Sequence, residues 1–212
     1  MTAPFFIYVH GFNSSPQSMK AQLFLHYMQQ SGCEDQVAIP GLSHWPREAM
    51  HQLQALIEQH WHRPVILLGS SLGGYYSTWL TEHYPHVRTV LINPAVRPHE
   101  LLPAYLGENQ NLYSGEVYQL TEGHLLQLLQ LRCEQIADPS RYLLLTQTGD
   151  ETLDYREAVA MFADSPQFIQ PGGSHGFAQF DQLIPAILAF AQGYIELPPA
   201  TPINVSRSQE PH

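Results

Sequence analysis

The chain predicts a mostly parallel α/β sheet with helices on both faces. Three observations carry that expectation. Short apolar runs alternate with helically periodic segments almost from the first residue. A serine flanked by glycines, Gly69-Ser70-Ser71-Leu72-Gly73, separates one such run from the helix that follows it. Two further polar loops, Thr148-Gly149-Asp150-Glu151 and Gly172-Gly173-Ser174-His175-Gly176, follow later runs at the equivalent place. With 212 residues and 44% hydrophobic content, the chain can bury one core and falls within the size of a single domain.

The elements follow in order. Phe5-Phe6-Ile7-Tyr8-Val9, bounded by Pro4 and Gly11, is bulky enough for a buried strand. Met19, Leu23, Tyr27 and Met28 recur at helical spacing, and Gly32 suits the left-handed position after a helix. Val37-Ala38-Ile39 reads as a brief second strand. Pro46 opens a helix that places Met50, Leu53, Ile57 and Trp61 on one face. Val65 to Leu68 is the third strand, Gly74 to His83 a helix, and Thr89 to Ile92 the fourth strand, halted by Asn93-Pro94. Tyr142 to Thr146 and Gln167 to Ile169 supply two more, about six in all, and a closing helix covers Phe180 to Gln192.

Residues 95–139 break the rhythm. That stretch mixes Pro, Gly, Asn and Tyr with Leu125, Leu126, Leu128, Leu129 and Leu131, and reads as a helical cap over the site rather than an idle loop. The expected organisation is one domain over 1–196, with the cap inserted, and a flexible tail over 197–212, where Pro198-Pro199-Ala200-Thr201-Pro202 has little to bury.

Composition narrows the function. Nine basic against nineteen acidic residues give a formal charge of -10, which speaks against a phosphate backbone as partner. No stretch of eighteen apolar residues suggests a membrane span, and the first hydrophobic run lacks a basic segment before it, so it reads as a core strand and not a signal peptide. Cys33 and Cys133 have neither disulfide-framework nor metal-ligand spacing, which favours a reduced, cytoplasmic protein. Twelve histidines are scattered without a metalloprotease pattern, so neither metal nor cofactor is expected.

The serine loop is the chemical centre. Glycines two residues before and two after Ser71 allow a tight turn that lifts its hydroxyl above the sheet; Ser70 has Leu68 and Leu72 at those positions instead. A serine hydroxyl needs a base to take its proton, and the base needs an acid to hold its tautomer. Asp150 and His175 follow later strands in the order serine, acid, histidine, at the sheet edge where ligands bind in open α/β folds. Asp154, Glu151 and Asp164 are alternative acids, with Asp154 placed inside the next helix. The backbone N–H groups of Leu72, at a helix start, and Phe12, beside Gly11, are the expected oxyanion donors. His10 is assigned to shaping that loop. Arg97 is a candidate substrate-binding residue for an anionic group, set against an ion pair with Glu100 or another acid.

These motifs resemble the α/β-hydrolase superfamily, and within it the small bacterial YqiA-type esterases. The likeness rests on His10-Gly11-Phe12-Asn13-Ser14-Ser15-Pro16, Gly69-Ser70-Ser71-Leu72-Gly73-Gly74-Tyr75-Tyr76, Asn93-Pro94-Ala95-Val96-Arg97-Pro98 and Tyr105-Leu106-Gly107. It continues through Gln147-Thr148-Gly149-Asp150-Glu151, Leu153-Asp154-Tyr155-Arg156 and Gly172-Gly173-Ser174-His175. The resemblance implies a trimmed sheet of about six strands in spatial order 2-1-3-4-5-6, without the two strands that usually precede the His10-Gly11 strand. It also implies an esterase acting on small-molecule or acyl-chain esters, including thioesters, through Ser71, Asp150 and His175. The alternatives are a binding protein on a hydrolase scaffold with a vestigial triad, and an acyl-CoA thioesterase or acyltransferase.

Overall fold

The computed structural model describes residues 2–203. Six strands, β1 (Phe5–Val9), β2 (Val37–Ala38), β3 (Val65–Ser70), β4 (Val87–Ile92), β7 (Tyr142–Gln147) and β8 (Gln167–Gln170), form one parallel sheet in the order β2-β1-β3-β4-β7-β8. That is the order the resemblance implied. The register carries Val9 opposite Gly69, Ser70 opposite Ile92, Ile92 opposite Leu145 and Gln147 opposite Gln170. Because every strand runs the same way, the loops after β1, β3, β7 and β8 all leave from one edge.

Both faces of the sheet centre are apolar, which is why β1, β3 and β7 are buried at every position and not in alternation. Phe6, Tyr8, Ile66, Leu68, Val90, Ile92, Leu143 and Leu145 pack under α1 (Met19–Gln30) and α7 (Ile184–Ala191). Their strand neighbours Phe5, Ile7, Val9, Val65, Leu67 and Val87 pack under α2 (Pro46–Gln59) and α3 (Leu72–His83). A smaller cluster of Leu91, Tyr142 and Leu144 meets Ala158 and Phe162 at α6 (Tyr155–Met161). Helix boundaries follow the local chemistry. Pro46 opens α2, and Gly32 sits just beyond α1 at φ 65°, a left-handed position costly for a side chain.

Two expectations need correction. Trp61 does not join the buried face of α2; the helix ends at Gln59 and Trp61 is 72% exposed. The segment between β4 and β7 is not purely helical. It holds α4 (Pro98–Leu101) and α5 (Glu122–Leu129), but between them an antiparallel hairpin of β5 (Gly107–Gln110) and β6 (Val117–Leu120). The leucine run at 125–131 carries a helical period, whereas the hairpin is short and polar outside, with only Tyr118 and Leu120 buried.

Side chains fasten this insertion to the sheet domain. The His44 and His124 rings meet through Nδ1 and Nε2 at 3.0 Å, and Trp45 stacks on His124 at 3.6 Å. Tyr118 donates to Asn13 Oδ1 at 2.7 Å, tying the hairpin to the loop after β1.

At the other end, the expected tail is described only as far as Ile203. Leu197 packs against the core beneath α7, Thr201 O accepts from Gln170 Nε2, and Ile203 N donates to Pro171 O at 2.8 Å. Residues 204–212 lie outside the described residues. No described helix is long and apolar enough to cross a membrane.

Candidate active site

The turn between β3 and α3 is built by close backbone approach. A Cβ on Gly69 would lie 2.6 Å from Ser77 Oγ and 2.7 Å from Gly73 O, and one on Gly73 would fall onto the Val9 carbonyl. Ser71 itself stands at φ 53°, ψ -121°, a conformation that side chains rarely adopt. Its N–H donates to Ile92 O at 3.1 Å, and its carbonyl accepts from Gly74 and Ala95. The strained residue is therefore held from both neighbouring elements, with its hydroxyl at the C-terminal edge of the sheet.

His175 arrives from the loop after β8. Its Nε2 lies 3.1 Å from Ser71 Oγ, and its Nδ1 lies 2.8 Å from Asp150 Oδ2 and 3.0 Å from Oδ1. A carboxylate can only accept, so Nδ1 carries the proton and Nε2 presents a lone pair to the serine. The Asp150 carboxylate is 1% exposed; its Oδ1 also accepts from the N–H groups of Thr152 and Leu153, which fixes its plane. Three residues more than a hundred positions apart at the extremes thus share one chain of hydrogen bonds.

The other acids are occupied elsewhere. Glu151 accepts from the His175 backbone N–H at 3.0 Å and so holds the histidine loop. Asp154 lies at the cap position before α6 and not inside the helix; it accepts from Arg156 N and pairs with the Arg156 guanidinium at 2.7 Å. Asp164 lines a groove of about 840 Å³ on other residues, which include Arg63, Arg88 and Arg141 but none of Ser71, Asp150 or His175.

His10 is 5% exposed. Its Nδ1–H donates to Gly11 O at 3.1 Å, while Nε2 accepts from Leu42 N at 3.1 Å. Burial pushes its pKa down, in keeping with the neutral ring those two bonds require. The ring joins the loops after β1 and β2. Gly11 faces the serine directly, since a Cβ there would sit 3.1 Å from Ser71 Cβ. Among the described residues, neither the Phe12 nor the Leu72 N–H has a protein acceptor. An oxyanion hole requires backbone donors left free in this way.

Arg97 is not among the residues that line the Ser71 cavity. Its Nη2 pairs with Glu157 at 2.6 Å and its Nε approaches Glu100 at 3.7 Å, the ion-pair arrangement set against substrate binding. The cavity at Ser71, about 230 Å³, contains a different cation, Lys20.

Two further residues were missed by sequence reading. Asn93, at φ 40°, donates through Nδ2 to Ser174 O at 2.9 Å and His175 O at 3.2 Å, and accepts from Gln147 N. Gln147, fully buried, accepts from Ser174 N and Ala178 N and donates to Ala178 O and Gln170 Oε1. Together they hold the histidine loop against the ends of β4 and β7. The available signal was positional: each is an amide side chain at the end of a strand otherwise made of core residues.

Solved structures share this architecture. A candidate hydrolase from Agrobacterium vitis S4 superposes with a TM-score of 0.72 at 20% identity, over 89% of this chain and 88% of that one. Mouse alpha/beta hydrolase domain-containing protein 10 gives 0.67 at 18% identity, over 88% of each. Est1E from Butyrivibrio proteoclasticus with ferulic acid bound gives 0.64 at 15% identity, over 90% and 89%. At these identities the likeness is one of fold. The family model of the uncharacterised protein family UPF0227 matches residues 5–192, nearly the whole described chain. The chain belongs to that family, and its fold is shared with α/β hydrolases.

Proposed function

We propose that the protein is a serine esterase that hydrolyses small-molecule carboxylic esters through an acyl-enzyme on Ser71. One observation supports this above the others: the unbroken contact from Asp150 through His175 Nδ1 and Nε2 to Ser71 Oγ. His175 takes the Ser71 proton as Oγ attacks the ester carbonyl. The N–H groups of Phe12 and Leu72 receive the developing oxyanion, each such donor being worth roughly 2.7–4 kcal/mol in the transition state. The imidazolium then protonates the departing alcohol. In the second half, His175 removes a proton from water, the water attacks the acyl carbonyl, and Ser71 Oγ leaves with that proton. Asp150 holds the ring and stabilises its charged form without itself becoming protonated.

The hydrolase and esterase neighbours support hydrolysis in general, and the contact from His175 to Ser71 supports the ester-specific step. Residues 95–139 act as the cap of a single domain. Leu112 and Tyr113, from the hairpin turn, line the Ser71 cavity, so cap movement would alter which acyl groups enter. The compartment assigned is the cytoplasm, where the free Cys33 and Cys133 thiols would stay reduced. Short p-nitrophenyl esters test the reaction. Wild-type protein should release nitrophenol with saturation kinetics, and Ser71→Ala should fall to the uncatalysed rate while keeping its far-ultraviolet dichroism. Undiminished turnover by Ser71→Ala would remove Ser71 from the mechanism.

A further inference from the structure

Lys20 is the only lysine in the sequence; the other eight basic residues are arginines. It lies in the first turn of α1, where an ammonium opposes the partial positive charge of the helix N-terminus. Helix stability alone therefore disfavours a cation there. Its Nζ donates to Gly176 O at 3.0 Å, one residue beyond His175. Among the described residues no carboxylate lies within ion-pair distance of it, in a chain with nineteen acids. An ammonium has three donors, so two remain for a ligand. Lys20 lines the same cavity of about 230 Å³ as Ser71 and His175. Ser18, also on that wall, has a buried hydroxyl oxygen with no protein partner. The cavity at Ser71 is thus lined by a cation with no carboxylate partner and by a serine whose buried hydroxyl lacks a hydrogen-bond partner.

We propose that Lys20 and Ser18 form a subsite for a carboxylate, and that the preferred substrates are esters carrying one acidic group a few bonds from the scissile carbonyl. This rests on the esterase reading above. A compact, rotatable ammonium suits a small cavity better than a planar guanidinium, which separates this position from the arginines outside the cavity. The surrounding charge matters too. A chain of net charge -10 repels anions at long range, so a local cation must supply the attraction. Burial brings the Lys20 ammonium down to about 8, with the Asp150 charge acting in the opposite direction. The groups that share its cavity and can titrate are Tyr8 and His10 from β1 and its loop, Tyr113 from the hairpin turn and His175, with Asp150 behind.

Matched ester pairs followed by pH-stat test the subsite and locate it. Monomethyl glutarate against methyl valerate places the acid on the acyl side. The butyrate ester of 4-hydroxybutyric acid against butyl butyrate places it on the alcohol side. Wild-type kcat/KM should favour one acidic member by about tenfold or more, and Lys20→Met should collapse that ratio chiefly through KM. Lys20→Arg should retain part of it. In the wild type the ratio should decline as pH rises past about 8, and in Lys20→Arg it should stay level. Should Lys20→Met lower kcat for acidic and neutral members alike, Lys20 merely positions the His175 loop through Gly176 and the subsite is refuted. A wild-type ratio near one in both pairs refutes it as well, and settles the matter even if the variant folds poorly. A fluorophosphonate separates the two levels of the reading. Ser71 labelled, with turnover indifferent to charge, sinks the subsite alone; no label and no turnover of any ester sinks the esterase and the subsite with it.

Discussion

Asp150→Asn isolates the role of the buried acid. Oδ1 accepts both backbone bonds, from Thr152 at 2.9 Å and Leu153 at 2.8 Å, so the asparagine oxygen stays there. Its NH₂ then replaces Oδ2, 2.8 Å from His175 Nδ1. Two donors cannot share that contact, so the imidazole shifts its proton to Nε2 and offers Nδ1 as the acceptor. Nε2–H now faces Ser71 Oγ across 3.1 Å and cannot take its proton. A tautomer error of this kind lowers kcat by about four decades, or about 5.4 kcal/mol of transition-state stabilisation. The fold should survive, because both backbone bonds persist and a buried charge is removed. Initial rates on p-nitrophenyl butyrate, beside a thermal melt of each protein, measure both effects. A loss of less than about tenfold in a folded variant would mean that Asp150 does not set the histidine tautomer.

Other perturbations probe the supporting structure. Ser71→Gly should abolish turnover yet raise the urea midpoint relative to Ser71→Ala, because glycine accepts φ 53° freely; relief of about 1–3 kcal/mol of strain, less about 0.5–1 kcal/mol of added chain entropy, leaves about 1 kcal/mol. Tyr118→Phe removes the 2.7 Å bond to Asn13, and should cost about 0.5–1.5 kcal/mol in a denaturation curve and lower kcat severalfold by loosening the loop that carries Phe12. His10 and His124 are both held below the ordinary 6.5 by burial, so between 6.5 and their lower folded values the unfolded chain binds more protons. Stability should therefore fall as pH drops below about 6.5, and a urea midpoint unchanged between pH 7 and 5 would refute that linkage.

What the sequence made legible follows from where strong local signals lie. The six strands of the main sheet were readable because a sheet buried on both faces needs uninterrupted apolar runs such as Val65 to Leu68. The meeting of Ser71, Asp150 and His175 was legible because each follows a strand in a turn that contains glycine. The cap hairpin was not, since Gly107–Gln110 is polar and the hairpin's contacts with Asn13 and Ser14 come from a distant loop. Arg97 looked chemically suited to an anion, but Glu157, sixty residues away, reaches it only in the folded chain. Lys20 went unnoticed for the opposite reason. Its helix-face position is unremarkable until α1 packs beside the histidine loop, although its being the only lysine in 212 residues was visible throughout.

Reaction with a fluorophosphonate, read by intact mass and peptide mapping, addresses the nucleophile directly. One adduct per chain should form on Ser71, vanish in Ser71→Ala and form far more slowly in His175→Ala. Folded protein that takes no adduct, or takes it on another serine, would contradict the account.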